Sequence, residues 1–161
     1  MPEPRAVPIT IRPARADEME LVRTLFREYQ AWLGLDLCFQ SFEEELASLP
    51  GRYAPPTGRL LLAEHEGAVV GVVASRAVAP GVCEMKRLFV RPSAQGLGLG
   101  RRLAERLIEE ARACGFTSMR LDTIAGRMDA AIALYERLGF RDIPAYYDSP
   151  VAGTRYMEVR L

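Results

Sequence analysis

Apolar residues recur at two spacings along this chain, every second position in some stretches and every third or fourth in others, and the switches between them mark out its elements. Residues 7–12 have strand composition. Met19, Leu21, Val22, Leu25, Phe26, Tyr29 and Trp32 then follow helical spacing, with Asp17 as a candidate cap and Gly34 as a stop. The aromatics of this helix, Trp32 among them, are expected in the core. Residues 35–57 are irregular, interrupted by Gly51, Pro55 and Pro56, and hold one short helical pattern at 41–46 in which Ser41 and Glu44 have capping-box spacing.

Residues 60–63 and 68–76 read as strands joined by the turn pair Glu66-Gly67, and Pro80-Gly81 turns the chain into a further strand at 85–90. Leu99, Leu103, Ala104, Leu107, Ile108 and Ala111 define an amphipathic helix stopped by Gly115. A strand at 119–124, a helix at 129–138 ending before Gly139, and strands at 141–143 and 155–161 complete the chain. Hairpin connections followed by strand-helix-strand predict an α/β (α+β) fold: a mixed, mostly antiparallel central sheet of six to seven strands flanked by about four helices. With no linker or repeat, residues 1–161 are expected to form a single domain.

Composition narrows the setting. Hydrophobic residues make up 49% and charged residues 26%, as in a soluble globular protein. Basic and acidic residues balance at 21 each, so neither nucleic acid nor an anionic membrane is expected as a partner. No apolar run reaches membrane-spanning length, and residues 1–14 lack the apolar stretch of a signal peptide. Cys38, Cys83 and Cys114 are odd in number and form no C-x-x-C pair, which predicts free thiols in a reducing, cytoplasmic compartment. Cys83 reads as a small buried hydrophobe and His65 as a surface residue at a strand end. His65 is the one histidine, which excludes a histidine-built cluster, and no metal is expected.

The chemistry concentrates in residues 83–107. There a strand ends in a proline-containing turn, followed by Gly96, Gly98 and Gly100, then Arg101, Arg102 and the start of a helix. Amides at a helix start have no intrahelical acceptor and lie at the positive end of the dipole, so such a turn holds an anion. A P-loop is excluded, because Arg101-Arg102 stands where Gly-Lys is required. A dinucleotide fingerprint begun at Gly96 fails as well, because it needs glycine at position 101. What remains is Gln95-x-x-Gly98-x-Gly100.

This segment resembles the acyl-CoA-binding motif of the GNAT N-acetyltransferase superfamily, Q/R-x-x-G-x-G/A after a strand that splays from its neighbour. Residues 131–140, with Ala131, Leu134, Tyr135, Gly139 and Phe140, are similar to the family's second hallmark, A-x-x-L-Y-x-x-x-G-F. The two motifs stand in the family's order and spacing, and the order of elements matches over nearly the whole chain, as in small single-domain members of bacterial type.

The resemblance implies the GNAT fold, acetyl-CoA as co-substrate and direct transfer of an acetyl group to a primary amine of a small molecule or peptide, by a monomer or homodimer. It implies a pyrophosphate held by the backbone of Gln95, Gly96, Leu97, Gly98, Leu99, Gly100 and Arg101, with Arg101 and Arg102 adding charge. The pantetheine arm would pair with the backbone edge of Leu88, Phe89 and Val90, beside Ala131 and Leu134. By the same resemblance Tyr135 protonates the departing thiolate, and Glu84, eleven positions before Gln95, deprotonates the amine through water. Met128 stands where many members carry an asparagine that contacts pantetheine; Asp122 and Thr123 are candidates to replace it.

Read from the residues alone, both catalytic candidates keep a second meaning. Tyr135 fits a core tyrosine, and Glu84 fits an ion pair with Lys86, two positions along a strand face that Leu88 would share. On the acceptor side the resemblance points to residues 35–53 and the turn Tyr146-Tyr147-Asp148. Phe39, Phe42, Tyr53, Tyr146 and Tyr147 are candidate pocket residues, with Glu43, Glu44 and Asp148 as charges for a cationic amine. A non-catalytic acyl-CoA-binding regulator of the same fold is the alternative, and a longer or acidic acyl donor is not distinguished from acetyl.

Overall fold

The computed structural model describes residues 8–37 and 40–161. Its strands are β1 (Ile9–Pro13), β2 (Arg59–His65), β3 (Ala68–Ala79), β4 (Val82–Val90), β5 (Ser118–Ile124), β6 (Arg141–Ile143) and β7 (Thr154–Arg160). Four α-helices accompany them: α1 (Met19–Leu33), α2 (Phe42–Ser48), α3 (Leu99–Ala113) and α4 (Asp129–Arg137). The strands form one seven-stranded sheet in the order β1-β2-β3-β4-β5-β7-β6. Every neighbouring pair is antiparallel except β4 and β5. A parallel pair needs a crossover, and α3 supplies it.

The chemistry of the turns explains the first hairpins. Glu66 and Gly67 both have positive φ, 55° and 78°, the backbone that a two-residue hairpin requires. At the next turn β3 runs on to Ala79 and β4 begins at Val82, each three residues beyond the apolar runs at 68–76 and 85–90. The residues flanking those runs pair across the ladder, Ala77 with Cys83 and Ala79 with Val82.

Packing on both faces of the sheet accounts for the unbroken apolar run of β2. Leu61 and Ala63 join Leu103, Leu107, Met85 and Met119 beneath α3, whereas Leu60 and Leu62 join Phe26, Phe42 and Val72 beneath α1 and α2. Leu61, Leu62 and Leu103 have no exposed surface, and burial of such a side chain contributes about 1.5–3 kcal/mol.

Three local expectations are revised. Glu18, not Asp17, stands at the start of α1, and its carboxylate accepts from the Arg15 amide at 2.8 Å. Ser41 precedes α2 in a left-handed conformation, φ 57°, and makes no capping hydrogen bond. Trp32 is 47% exposed: it lies in the last turn of α1 at the rim of the core, resting on Tyr29 and Phe89 with its other side in water.

Candidate functional site

The site originates in a divergence of two strands. β5 pairs with β7 along its whole length, but with β4 only at Val82, Cys83 and Glu84. Past Glu84 the two strands part, so the β4 edge from Met85 to Val90 has no strand beside it on that side. Within this free stretch β4 carries a β-bulge. Ala74 stands opposite Lys86 and Val72 opposite Phe89, so Arg87 and Leu88 together oppose Val73 alone, with Arg87 at φ 62°.

The bulge resets which side chains share a face. Leu88 and Val90 pack toward α3, while Phe89 is buried beneath α1. Leu88 therefore does not share a face with Glu84 and Lys86, because the extra residue shifts the alternation by one. Arg87 turns toward α2, where its side chain is 2% exposed and pairs with Glu45 at 3.0 Å. It also donates to Gln40 Oε1 at 2.8 Å and lies over the Phe42 ring.

At the far end of β4 the chain passes through a short turn, Pro92–Ala94, into the glycines. Gln95 donates through Nε2 to the Val90 carbonyl at 3.2 Å, tying the turn to the strand end. Gly96 and Gly98 have φ of 87° and 74°, which side-chain-bearing residues rarely adopt. Gly98 begins α3 without any side-chain cap, and the first turn carries no acidic residue. The first helical bond runs from the Arg102 amide to the Gly98 carbonyl, so the amides of Leu99, Gly100 and Arg101 have no acceptor within the helix. A Cβ at Gly100 would lie 3.9 Å from Leu134 and 4.0 Å from Val90, which places α4 and the strand end beside the turn. Leu97 is exposed, Leu99 is buried, and Ala131 and Leu134 are half-buried. Arg101 and Arg102 are exposed; Arg101 pairs with Glu105 and Arg102 donates to the Ile9 carbonyl.

Tyr135 projects from α4 into the gap between β4 and β5. It lines a narrow cleft of about 30 Å³ together with Met85, Leu88, Leu121, Thr123 and Met128. Burial pushes its pKa well above the ordinary phenol value, so the hydroxyl stays protonated. That hydroxyl has no hydrogen-bond partner among the described residues, while its ring packs on Phe140. Met128 at the start of α4 is buried, and Thr123 donates to its sulfur at 3.6 Å. Asp122 is engaged elsewhere, with Lys86 at 3.5 Å and with the hydroxyl of Tyr147. Burial lowers the Lys86 pKa against the pull of Asp122; for Asp122, burial acts upward but Lys86 and Tyr147 outweigh it and hold the carboxyl low.

Glu84 is 2% exposed and lies on the face away from α3. Its partner is not Lys86. Arg76, its cross-strand neighbour, approaches Oε1 at 3.0 Å, and Tyr146 donates to Oε2 at 2.6 Å. Lys86 instead turns to Asp122 and to Gln40 Oε1 at 3.2 Å. Glu84, Lys86, Tyr146 and Tyr147 line a cavity of about 440 Å³, and Lys86 and Gln40 line both this cavity and the narrow cleft. Tyr53 lines an adjoining cavity, buried, with its hydroxyl on Glu45 at 2.7 Å. Phe39 lies outside the described residues. Glu43 faces Arg27, and Asp148 is exposed beside the turn. Around Glu84 the cavity is lined by Arg52, Arg76, Lys86 and Arg120, a surplus of positive charge that the acidic run at 43–45 did not suggest.

Comparison with known proteins decides the family. The model of the Acetyltransferase (GNAT) family matches residues 19–140. The chain belongs to this family. The acetyltransferase is 38% identical over 146 residues to an uncharacterised N-acetyltransferase of Schizosaccharomyces pombe, with 89% of each chain covered. A structure from Salmonella typhimurium solved with its cofactor acetyl-CoA is 25% identical, with a TM-score of 0.69 over 95% of this chain and 94% of the other. A GNAT acetyltransferase from Staphylococcus aureus shares the fold at a TM-score of 0.79, 19% identical over 95% and 99% of the two chains. The acetyltransferase thus has a fold that binds acetyl-CoA and the activity class of N-acetyltransferases. No helix among the described residues is long and apolar enough to cross a membrane.

The residues present fit that cofactor. Uncapped amides at the start of α3 suit a pyrophosphate, and the unpaired β4 edge suits an extended, amide-bearing arm. An arm laid from the glycine turn along that edge leads into the cleft where Tyr135 stands.

Proposed function

We propose that this enzyme transfers an acetyl group from acetyl-CoA directly to a primary amine of a small molecule or peptide, with Glu84 as base and Tyr135 as acid. The observation that carries the reading is the divergence of β4 from β5 past Glu84, with uncapped amides at one end of the unpaired edge and Tyr135 in the cleft. Acetyl-CoA supplies the thioester carbonyl. Leu88, Phe89 and Val90 hold its arm through the backbone, the turn from Gln95 to Arg101 holds its pyrophosphate with Arg102 adding charge, and Ala131 and Leu134 flank it.

Glu84 takes a proton from the acceptor ammonium through water, and Arg76 and Tyr146 keep its carboxylate in place. The freed nitrogen forms the new bond to the acyl carbon as the carbon–sulfur bond breaks, and its surplus proton leaves through water, which reprotonates Tyr135 after the transfer. Tyr135, protonated and without a partner among the described residues, delivers its proton to the sulfur. Tyr53, Tyr146 and Tyr147 shape the acceptor side. A reducing, cytoplasmic setting accords with the free thiols of Cys83 and Cys114; burial pushes the Cys83 thiol up to about 12, which keeps it unreactive.

The test is release of free thiol from acetyl-CoA across a panel of amino acids, amines, polyamines, aminoglycosides and peptides. Release with at least one acceptor, with matching acetylated product by mass, is expected. CoA binding without release for any acceptor supports a regulator instead.

A further inference from the structure

The cavity beside Glu84 carries a charge opposite to that needed to attract a simple ammonium. Arg52, Arg76, Lys86 and Arg120 line it, and Glu84 is the one carboxylate among the lining residues. Three of these cations have a carboxylate of their own: Arg76 has Glu84 at 3.0 Å, Lys86 has Asp122 at 3.5 Å, and Arg120 has Glu158 at 2.7 Å. Arg52 has none among the described residues. Its Nη2 donates to the Ala77 carbonyl at 2.6 Å, which orients the guanidinium and leaves its charge unmatched. Arg76 directs Nε and Nη2 to one oxygen of Glu84, so its Nη1 has no partner among the described residues.

We propose that the acceptor is a small amine that also bears a carboxylate, of amino-acid type, with the carboxylate on Arg52 and Arg76 and the amine toward Glu84. This rests on the transferase reading above. A planar guanidinium matches a carboxylate through paired hydrogen bonds, and a second anion restores the charge balance of the cavity. A volume of about 440 Å³ lies in the lower part of the range for small-molecule sites, large enough for an amino acid or short peptide. The competing acceptor is a polycation, because the adjoining cavity shares Arg52 and Arg76 but also carries the exposed Glu44.

The test compares kcat/KM, read by thiol release, for amino acids against their carboxamides and decarboxylated amines, with spermidine as the polycation, in wild type and Arg52→Gln. The carboxylates are expected to lead their paired analogues by about tenfold or more, the scale of one charge-assisted hydrogen bond. Arg52→Gln is expected to narrow that gap by raising the acceptor KM while the acetyl-CoA KM holds. Equal or better use of the amides, the decarboxylated amines or spermidine overturns the proposal and leaves transfer intact. Absence of release from every compound overturns the transfer reading. In that case calorimetric titration of glutamate and alanine into the CoA-loaded protein decides: Arg52-dependent binding sustains the carboxylate site, and its absence removes it.

Discussion

Arg76 stands directly across the β3–β4 ladder from Glu84, its Nη2 3.0 Å from Oε1, while Tyr146 donates to Oε2 at 2.6 Å. Both oxygens of a buried carboxylate that lines the cavity are thereby fixed. Glu84→Gln keeps the shape and removes the proposed base. Its kcat/KM is expected to fall by about 10²- to 10⁴-fold. Turnover at the wild-type rate assigns the base elsewhere.

Gly98 begins α3 at φ 74°, with open space where a Cβ would stand. Gly98→Ala meets no clash but must hold a left-handed backbone, at a cost of about 1–2 kcal/mol. Weaker CoA binding by calorimetry and a Tm lower by several degrees are expected, with Gly98→Asn milder because asparagine tolerates this conformation. Unchanged CoA affinity in both variants contradicts the role of the turn.

Arg87 and Glu45 form a buried pair, their side chains 2% and 12% exposed, linking the bulge to α2. Removal of one partner leaves the other charge stranded. Arg87→Met is expected to cost about 3–5 kcal/mol in urea denaturation, and adding Glu45→Leu to recover much of it. Equal stability of the single and double variants counts against a coupled pair.

A loss of stability on acidification follows from Glu18. Its hydrogen bonds with Arg12, at 2.7 Å and 2.8 Å, hold its carboxyl at about 2 against an ordinary 4.5. The folded value lies below the unfolded one, so the contribution is full above about pH 4.5 and is lost as pH falls toward 2. Across that window the Tm of the wild type is expected to drop more steeply than that of Glu18→Gln. Parallel curves contradict the assignment.

What patterning revealed, and what it hid, divides along physical lines. The elements on either side of Gly98 were legible because apolar periodicity and glycine stops act locally, and the run Leu60 to Ala63 marked a strand, which the fold buries on both faces. The bulge was not: one extra residue at Arg87 leaves composition unchanged but turns Leu88 to the opposite face. A signal was present in Lys86-Arg87, two adjacent cations within an apolar strand, which demand buried carboxylate partners. The partner of Glu84 was hidden because it depends on the register of the β3–β4 hairpin. The cationic cavity was hidden because Arg52, Arg76, Lys86 and Arg120 come together only through the fold.

The most direct measurement concerns Tyr135, whose hydroxyl lies in the cleft where β4 leaves β5. Tyr135→Phe removes one oxygen from a buried ring, so the fold and the CoA dissociation constant are expected to hold. Single-turnover thiol release should slow by about 10²-fold or more if this hydroxyl protonates the sulfur. Release at the wild-type rate, with CoA bound as tightly, contradicts the account.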